Sequence, residues 1–168
     1  MNDPFDNFEP CAINPLDRVE DVLDSNSWVF NRVSDEELIV QVKGKYCAYR
    51  LFFIWQDDMD ALQFCCQYDL HVTPGNFERA ASVLMSINEN LWMGHFDIPK
   101  DTRIPTFRKT SLFRGLDNAV SAGQIEDLVD ISLAQCERFY TAFYLLSEVR
   151  VANDQTLTLA LMDAKGES

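Results

Sequence analysis

Few residues in this chain have types that could carry chemistry. They are two histidines, His71 and His95, five cysteines, and the acidic run Asp57-Asp58-Met59-Asp60. A zinc site needs ligands at short spacing, such as histidines at i and i+4 or cysteines at CxxC distance. His71 and His95 lie far apart, and neither has such a partner, so they read as ordinary polar residues. No further histidine stands near a serine or cysteine, so a nucleophilic triad has no base. A calcium loop opening at Asp57 wants Gly at its sixth position and Glu at its twelfth. Leu62 and Tyr68 stand there instead, and the run reads as a solvated turn. The glycines form neither GxGxxG nor a P-loop. The sequence therefore points to no metal, no cofactor and no enzyme.

Cys65 and Cys66 are adjacent in a segment of alternating polarity, where neighbouring side chains point to opposite faces. Cys66 shares its parity with Phe64 and Tyr68 and belongs to the core. Cys65 lies with Gln63 and Gln67 and is expected on the exposed face. A reactive thiol needs a nearby cation or a helix N-terminus to lower its pKa, and the flanking sequence offers neither.

Charge narrows the class further. The chain of 168 residues carries 27 acidic against 14 basic side chains, a net charge of −13. Nucleic-acid binders displace counterions with a basic face, and this chain as a whole repels phosphate. A local exception is the basic turn, where Lys100, Arg103, Arg108, Lys109 and Arg114 outweigh Asp101. It reads as a solvated hairpin or a dock for an acidic partner. No run approaches the roughly 20 apolar residues of a membrane span, and Met1 to Glu9 lacks the layout of a signal peptide. Cys11, Cys47, Cys65, Cys66 and Cys136 are an odd number without framework spacing, which fits free thiols and a cytoplasmic protein.

The elements that must position these residues follow from periodicity. Residues 1–13 read as a loose tail, and 14–168 as a single domain. Asn14-Pro15 reads as N-cap and first helical position, opening a helix to about Asp24. Strands follow at Trp28–Val33, Glu37–Val42, Tyr46–Trp55 and Leu62–Leu70. From Thr73-Pro74 the period becomes helical, through Phe77, Ala80, Leu84, Ile87, Leu91 and Trp92, with Gly94 as its C-cap. Short strands are expected near His95–Ile98 and Phe107–Arg114, then a connector over Gly115–Gly123. The stripe Ile125, Val129, Ser132, Cys136, Phe139, Phe143 and Leu146 predicts a long helix from Gln124 to about Val149. Such a helix overhangs a small sheet, so part of it should pack on something else. A short helix near Leu157–Ala164 closes the chain. Consecutive strands with short turns imply an α+β fold: an antiparallel sheet of five to six strands, helices on one face, and a long C-terminal helix.

Several of these segments together resemble a known bacterial family. Asn88–Phe96 (NENLWMGHF), Arg108–Gly115 (RKTSLFRG), Ile125–Tyr140 (IEDLVDISLAQCERFY) and Ala160–Ser168 (ALMDAKGES) resemble, in order and spacing, successive parts of the YbjN-domain family. The resemblance runs from about Leu16 onward. Thr141, where the family suggests proline, and Ser147–Val151, in place of a glycine-rich turn, depart from the pattern. The resemblance implies a sensory transduction regulator with a fold similar to type III secretion chaperones, which are small acidic dimers that hold other proteins. It implies no catalytic residue.

Where such a protein would bind is read from parity. In Tyr46–Trp55, one parity holds Cys47, Tyr49, Leu51, Phe53 and Trp55 without a charge. The other holds Ala48, Arg50, Phe52 and Ile54. A face covered by helices tolerates a charge badly, so Arg50, Phe52 and Ile54 are expected on the open face. There they would be covered by a protein partner or a second copy, most simply in a homodimer. Tyr140 and Tyr144 on the long helix are further partner-binding candidates, although the stripe with Phe139 and Phe143 is more simply core. The basic turn Arg103, Arg108 and Lys109 is the remaining surface candidate. The alternative from another class is a small ligand-binding domain or enzyme with a pocket between helices and sheet.

Overall fold

A computed structural model describes residues 14–113 and 121–166. The chain runs α1 (Pro15–Ser25), β1 (Phe30–Ser34), β2 (Glu37–Lys43), β3 (Ala48–Gln56), β4 (Ala61–Tyr68), α2 (Phe77–Asn88), β5 (His95–Asp97), β6 (Thr106–Leu112), α3 (Ala122–Ser147) and α4 (Asp154–Gly166). This is an α+β fold. The six strands form one antiparallel sheet in the order β1-β2-β3-β4-β6-β5.

Local chemistry starts each helix. The Asn14 side chain accepts the Leu16 N–H at 2.9 Å, and Pro15 fills the first position, where no N–H is needed. Ser121 and Gln124 form a reciprocal capping box on α3. α3 has 26 residues, hence a length of about 39 Å. Its buried residues recur every three or four positions and lie against the sheet together with α1 and α2.

The core sits between that layer and the inward parity of the strands. Tyr49, Leu51 and Phe53 of β3 are fully buried, and so are Phe64, Cys66 and Tyr68 of β4. The register places Phe53 beside Phe64 and Tyr49 beside Tyr68. Their rings meet edge-on at 5.0 and 5.4 Å, the arrangement aromatic quadrupoles favour. Phe96, Phe107, Phe139 and Phe143 continue this aromatic core toward β5.

Three expectations are corrected. α2 ends at Asn88, well before Gly94. The Asn88 side chain accepts the Phe96 N–H at 2.8 Å and donates to the Phe96 carbonyl at 3.0 Å, so the chain leaves the helix to run beside β5. Trp92 is consequently 77% exposed. Gly94 is still required, because it has φ +67° and a Cβ there would overlap the Phe107 ring. The overhang of α3 is used within the chain, since α4 packs on it through Leu157, Ala160 and Ala164. Finally, α3 begins at Ala122, so Gly123 is helical. The tail 1–13, Arg114 and the rest of the expected connector lie outside the described residues.

Candidate functional site

The outward parity of the sheet holds the first group of candidates. Cross-strand register aligns Asn31, Ile39, Phe52, Cys65, Arg108 and His95 in one row. Arg50 faces Gln41 and Gln67, and Ile54 faces Glu37 and Gln63. Arg50 is exposed, while Ile39, Phe52 and Ile54 are half-buried by one another. The parity assignment read from β3 thus matches the structure: its uncharged face lies on the helices.

Cys65 departs from expectation. It shares the outer face, yet it is 5% exposed, because its register neighbours Phe52 and Arg108 cover it. The Arg108 Nη1 lies 3.3 Å from its Sγ, and the Arg108 Nε donates to Asp97 Oδ2 at 2.6 Å. A cation therefore stands beside this thiol, brought from β6 by pairing that local sequence does not reveal. Burial still pushes the Cys65 thiol up; Arg108 offsets part of that shift.

The basic turn does not form one patch. Arg108 is engaged with Asp97 and Cys65. Arg103 sits in the left-handed region at φ +55° and donates to the Val72 carbonyl at 3.1 Å. Lys109 pairs with Phe64 in register and so lies on the opposite face from Arg108. The acidic run is a 3-10 turn in which Asp57 accepts the Trp55 indole N–H at 3.3 Å. His71 is exposed beside the Thr102 carbonyl at 3.0 Å, and His95 is exposed at the start of β5. Among the described residues, no group of three His, Cys, Asp or Glu could hold a metal ion, and no helix is long and apolar enough to cross a membrane.

The second candidate surface is built where the β2–β3 hairpin meets the middle of α3. Gly44 N–H closes the turn onto the Cys47 carbonyl at 2.9 Å, and the Lys45 N–H donates to Glu137 Oε1 at 2.7 Å. Only glycine fits at 44, since a Cβ would overlap Glu137 and the Tyr49 ring. This anchor lays Tyr46 against Tyr140, with ring centroids 5.0 Å apart and planes within 13°; Tyr144 stacks next at 5.9 Å. Lys45 Nζ caps Tyr46 at 4.9 Å from the centroid. The stripe of α3 is therefore split: Phe139 and Phe143 are core, whereas Tyr144 is 45% exposed. The hydroxyl of Tyr144 is raised, chiefly by its hydrogen bond to Glu148, and that of Tyr140 by burial and then by nearby charges, including Glu137. Beside this row lies an open groove of about 570 Å³, lined by Val29, Gln41 and Lys43 to Ala48.

Sequence reasoning missed one residue that shapes this end of the molecule. Asn76 is fully buried. Its Oδ1 accepts the Ala152 N–H at 2.8 Å, and its Nδ2 lies within 3.0–3.3 Å of Thr73 Oγ1 and the Leu146, Glu148 and Arg150 carbonyls. It fixes the path from α3 into α4. Thr73-Pro74-Gly75-Asn76 reads locally as a helix start, and nothing nearby in sequence announces a partner so far along the chain.

The described residues thus form an antiparallel sheet backed on one face by helices. No curated protein matches the chain significantly. A solved structure described as "Crystal structure of YbjN, a putative transcription regulator from E. coli" shares its fold, with a TM-score of 0.51 at 14% identity over 90% of this chain and 92% of that one. A family model, YbjN, described as "Putative bacterial sensory transduction regulator", matches residues 15–145. That span runs from the start of α1 nearly to the end of α3, and on it the chain belongs to the YbjN family.

Proposed function

We propose that the chain is a non-enzymatic regulatory module that works by binding protein, first of all a second copy of itself. The family points to regulation. The observation that carries the binding reading is the outer sheet face. Ile39, Phe52 and Ile54 lie there in adjacent register beside exposed Arg50, with the helices on the other side. Apolar side chains clustered on an open sheet face mark an interaction surface, and a central β3–β2 location suits a self-complementary contact. The likeness of this family to secretion chaperones, small dimers that hold other proteins, supports the same reading. So does the acidic body, which favours solubility and steers basic partners. We place the protein in the cytoplasm.

Phe52→Asp tests this. Sedimentation of the wild type should give a dimer. The variant should sediment as a monomer with a melting temperature within about 3 °C of wild type, because a half-buried surface site costs little in the monomer. A monomeric wild type, or a variant that remains dimeric, refutes the self-association. A variant that unfolds places Phe52 in the core and removes this surface.

A further inference from the structure

We propose that the tyrosine row on α3 is a docking site for an arginine side chain presented by a partner protein, held between the Tyr144 ring and the Glu148 carboxylate. This deepens the protein-binding reading above, but it uses a different face and names the chemistry of the partner.

The row has a direction. Tyr140 and Tyr144, four residues apart, lie above one another on one side of α3, and Glu148 follows four residues on as the C-cap residue. Tyr46 is added at the N-terminal end by the hairpin anchor, and the rings stack from Tyr46 through Tyr140 to Tyr144. At the Tyr46 end the chain supplies its own cation, Lys45, over the ring face. The other end has the same chemistry: an exposed tyrosine ring with a carboxylate one turn on. Glu148 acts on the Tyr144 hydroxyl and raises it, so the carboxylate stands near the ring.

Three electrostatic features favour a cation there. Aromatic faces attract cations. Glu148 caps the C-terminal end of α3, where the helix dipole is negative, and the last turn of α3 carries no basic residue. The chain as a whole is at −13, which draws basic partners in and repels acidic ones. Two of the basic groups near the row, Arg138 and Arg79, are already engaged. Arg138 donates to the Ala164 carbonyl at 2.6 Å and lies over Phe139. Arg79 lines a hollow together with Glu148 and Arg150, and it pairs with Asp154 at 2.9 Å. Arginine suits the site better than lysine, because its planar guanidinium can stack on a ring while its edge meets a carboxylate.

The test is an NMR titration of the full chain with a glycine-serine peptide carrying three arginines, and with the same peptide carrying lysine or neutral citrulline. The arginine peptide should shift the Tyr144 and Tyr140 ring signals and the Glu148 amide. The lysine peptide should bind about 3-fold to 5-fold more weakly, and the citrulline peptide should leave the signals in place. Tyr144→Ala should abolish the shifts and Glu148→Gln should weaken binding several-fold, while Tyr144→Phe, which keeps the ring, should stay within about 2-fold. Equal response to arginine and citrulline, unchanged binding by Tyr144→Ala, or shifts centred instead on Glu126, Asp127 and Asp130 overturns the proposal. A Tyr144→Phe variant as weak as Tyr144→Ala does so too. Phe52→Asp should still bind the arginine peptide, so the two surfaces stand or fall separately.

Discussion

Replacing Asn76 removes a connection that no other residue can make. Its two amide protons are shared among four acceptors, and its carbonyl oxygen is the partner of the buried Ala152 N–H. The acceptors survive its loss differently. The Leu146 carbonyl keeps the Thr73 N–H at 3.1 Å, and the Glu148 carbonyl keeps the Thr73 hydroxyl at 3.1 Å. Ala152 N–H has no such replacement, and a buried donor left unpaired costs about 1–3 kcal/mol. Adding about 1 kcal/mol for the shared donor bonds gives roughly 2–4 kcal/mol for Asn76→Ala. In a domain of this size each kcal/mol moves the melting temperature by about 2–4 °C, so calorimetry should show a fall of roughly 4–16 °C. Asn76→Asp sharpens the test. At neutral pH it sets a carboxylate against three carbonyl oxygens, and it should be less stable than the alanine variant. Its folded pKa is raised above the unfolded value of about 3.9, so the folded state binds the extra proton. The variant's deficit relative to wild type should therefore shrink as pH falls toward 5 and grow as pH rises. A melting temperature for Asn76→Ala within about 2 °C of wild type, or an aspartate deficit that does not change with pH, would refute the reasoning.

Further outcomes follow from groups already described. Burial pushes the hydroxyls of Tyr49 and Tyr68 well up. Both stay neutral in the folded chain while the unfolded chain ionises above about pH 10, so stability should fall beyond that pH. Absorbance titration should show two of the five tyrosines ionising only on unfolding. Denatured without reductant, the chain should titrate five free thiols; in the native state Cys47 should react before Cys65, Cys66 and Cys136, which are buried, and three or fewer thiols in the denatured sample would mean a disulfide. Elemental analysis should find below about 0.1 equivalent of zinc, and a stoichiometric content would contradict the reading of the histidines. Gly44→Ala should destabilise by about 1–3 kcal/mol in urea unfolding, because the hairpin turn must part from Glu137 and Tyr49.

How much of this was legible beforehand depends on the distance over which each feature is decided. The α1 start at Asn14-Pro15, the two parities of β3 and the stripe of α3 are set by residues a few positions apart, so periodicity finds them. The end of α2 is not, because Asn88 is drawn to Phe96 across a turn and the apolar residues Leu91 and Trp92 prolong the helical pattern past its real end. Cys65 lies on the face its parity predicts but is buried there, since its cover comes from Arg108, two strands later in the chain. Tyr140 and Tyr144 could be named from sequence. Their stacking on Tyr46 could not, because it depends on where the β2–β3 turn lands on α3.

The strand order has a consequence for how the chain comes to be folded. β1 to β4 form a meander of neighbouring hairpins that can pair as soon as they are made, whereas the long helix that closes their inner side is nearly last in the chain. Local pairings form early and distant ones late. During synthesis the inner face that carries Leu38, Leu51, Phe53 and Phe64, all of which end at zero exposure, must therefore wait for α3 with only α1 and α2 to shelter it. An open apolar sheet at that stage is prone to aggregation. The domain's most vulnerable moment is thus the interval between the completion of β6 and the arrival of α3, and the acidic charge carried by the earlier segments is then its main protection against association.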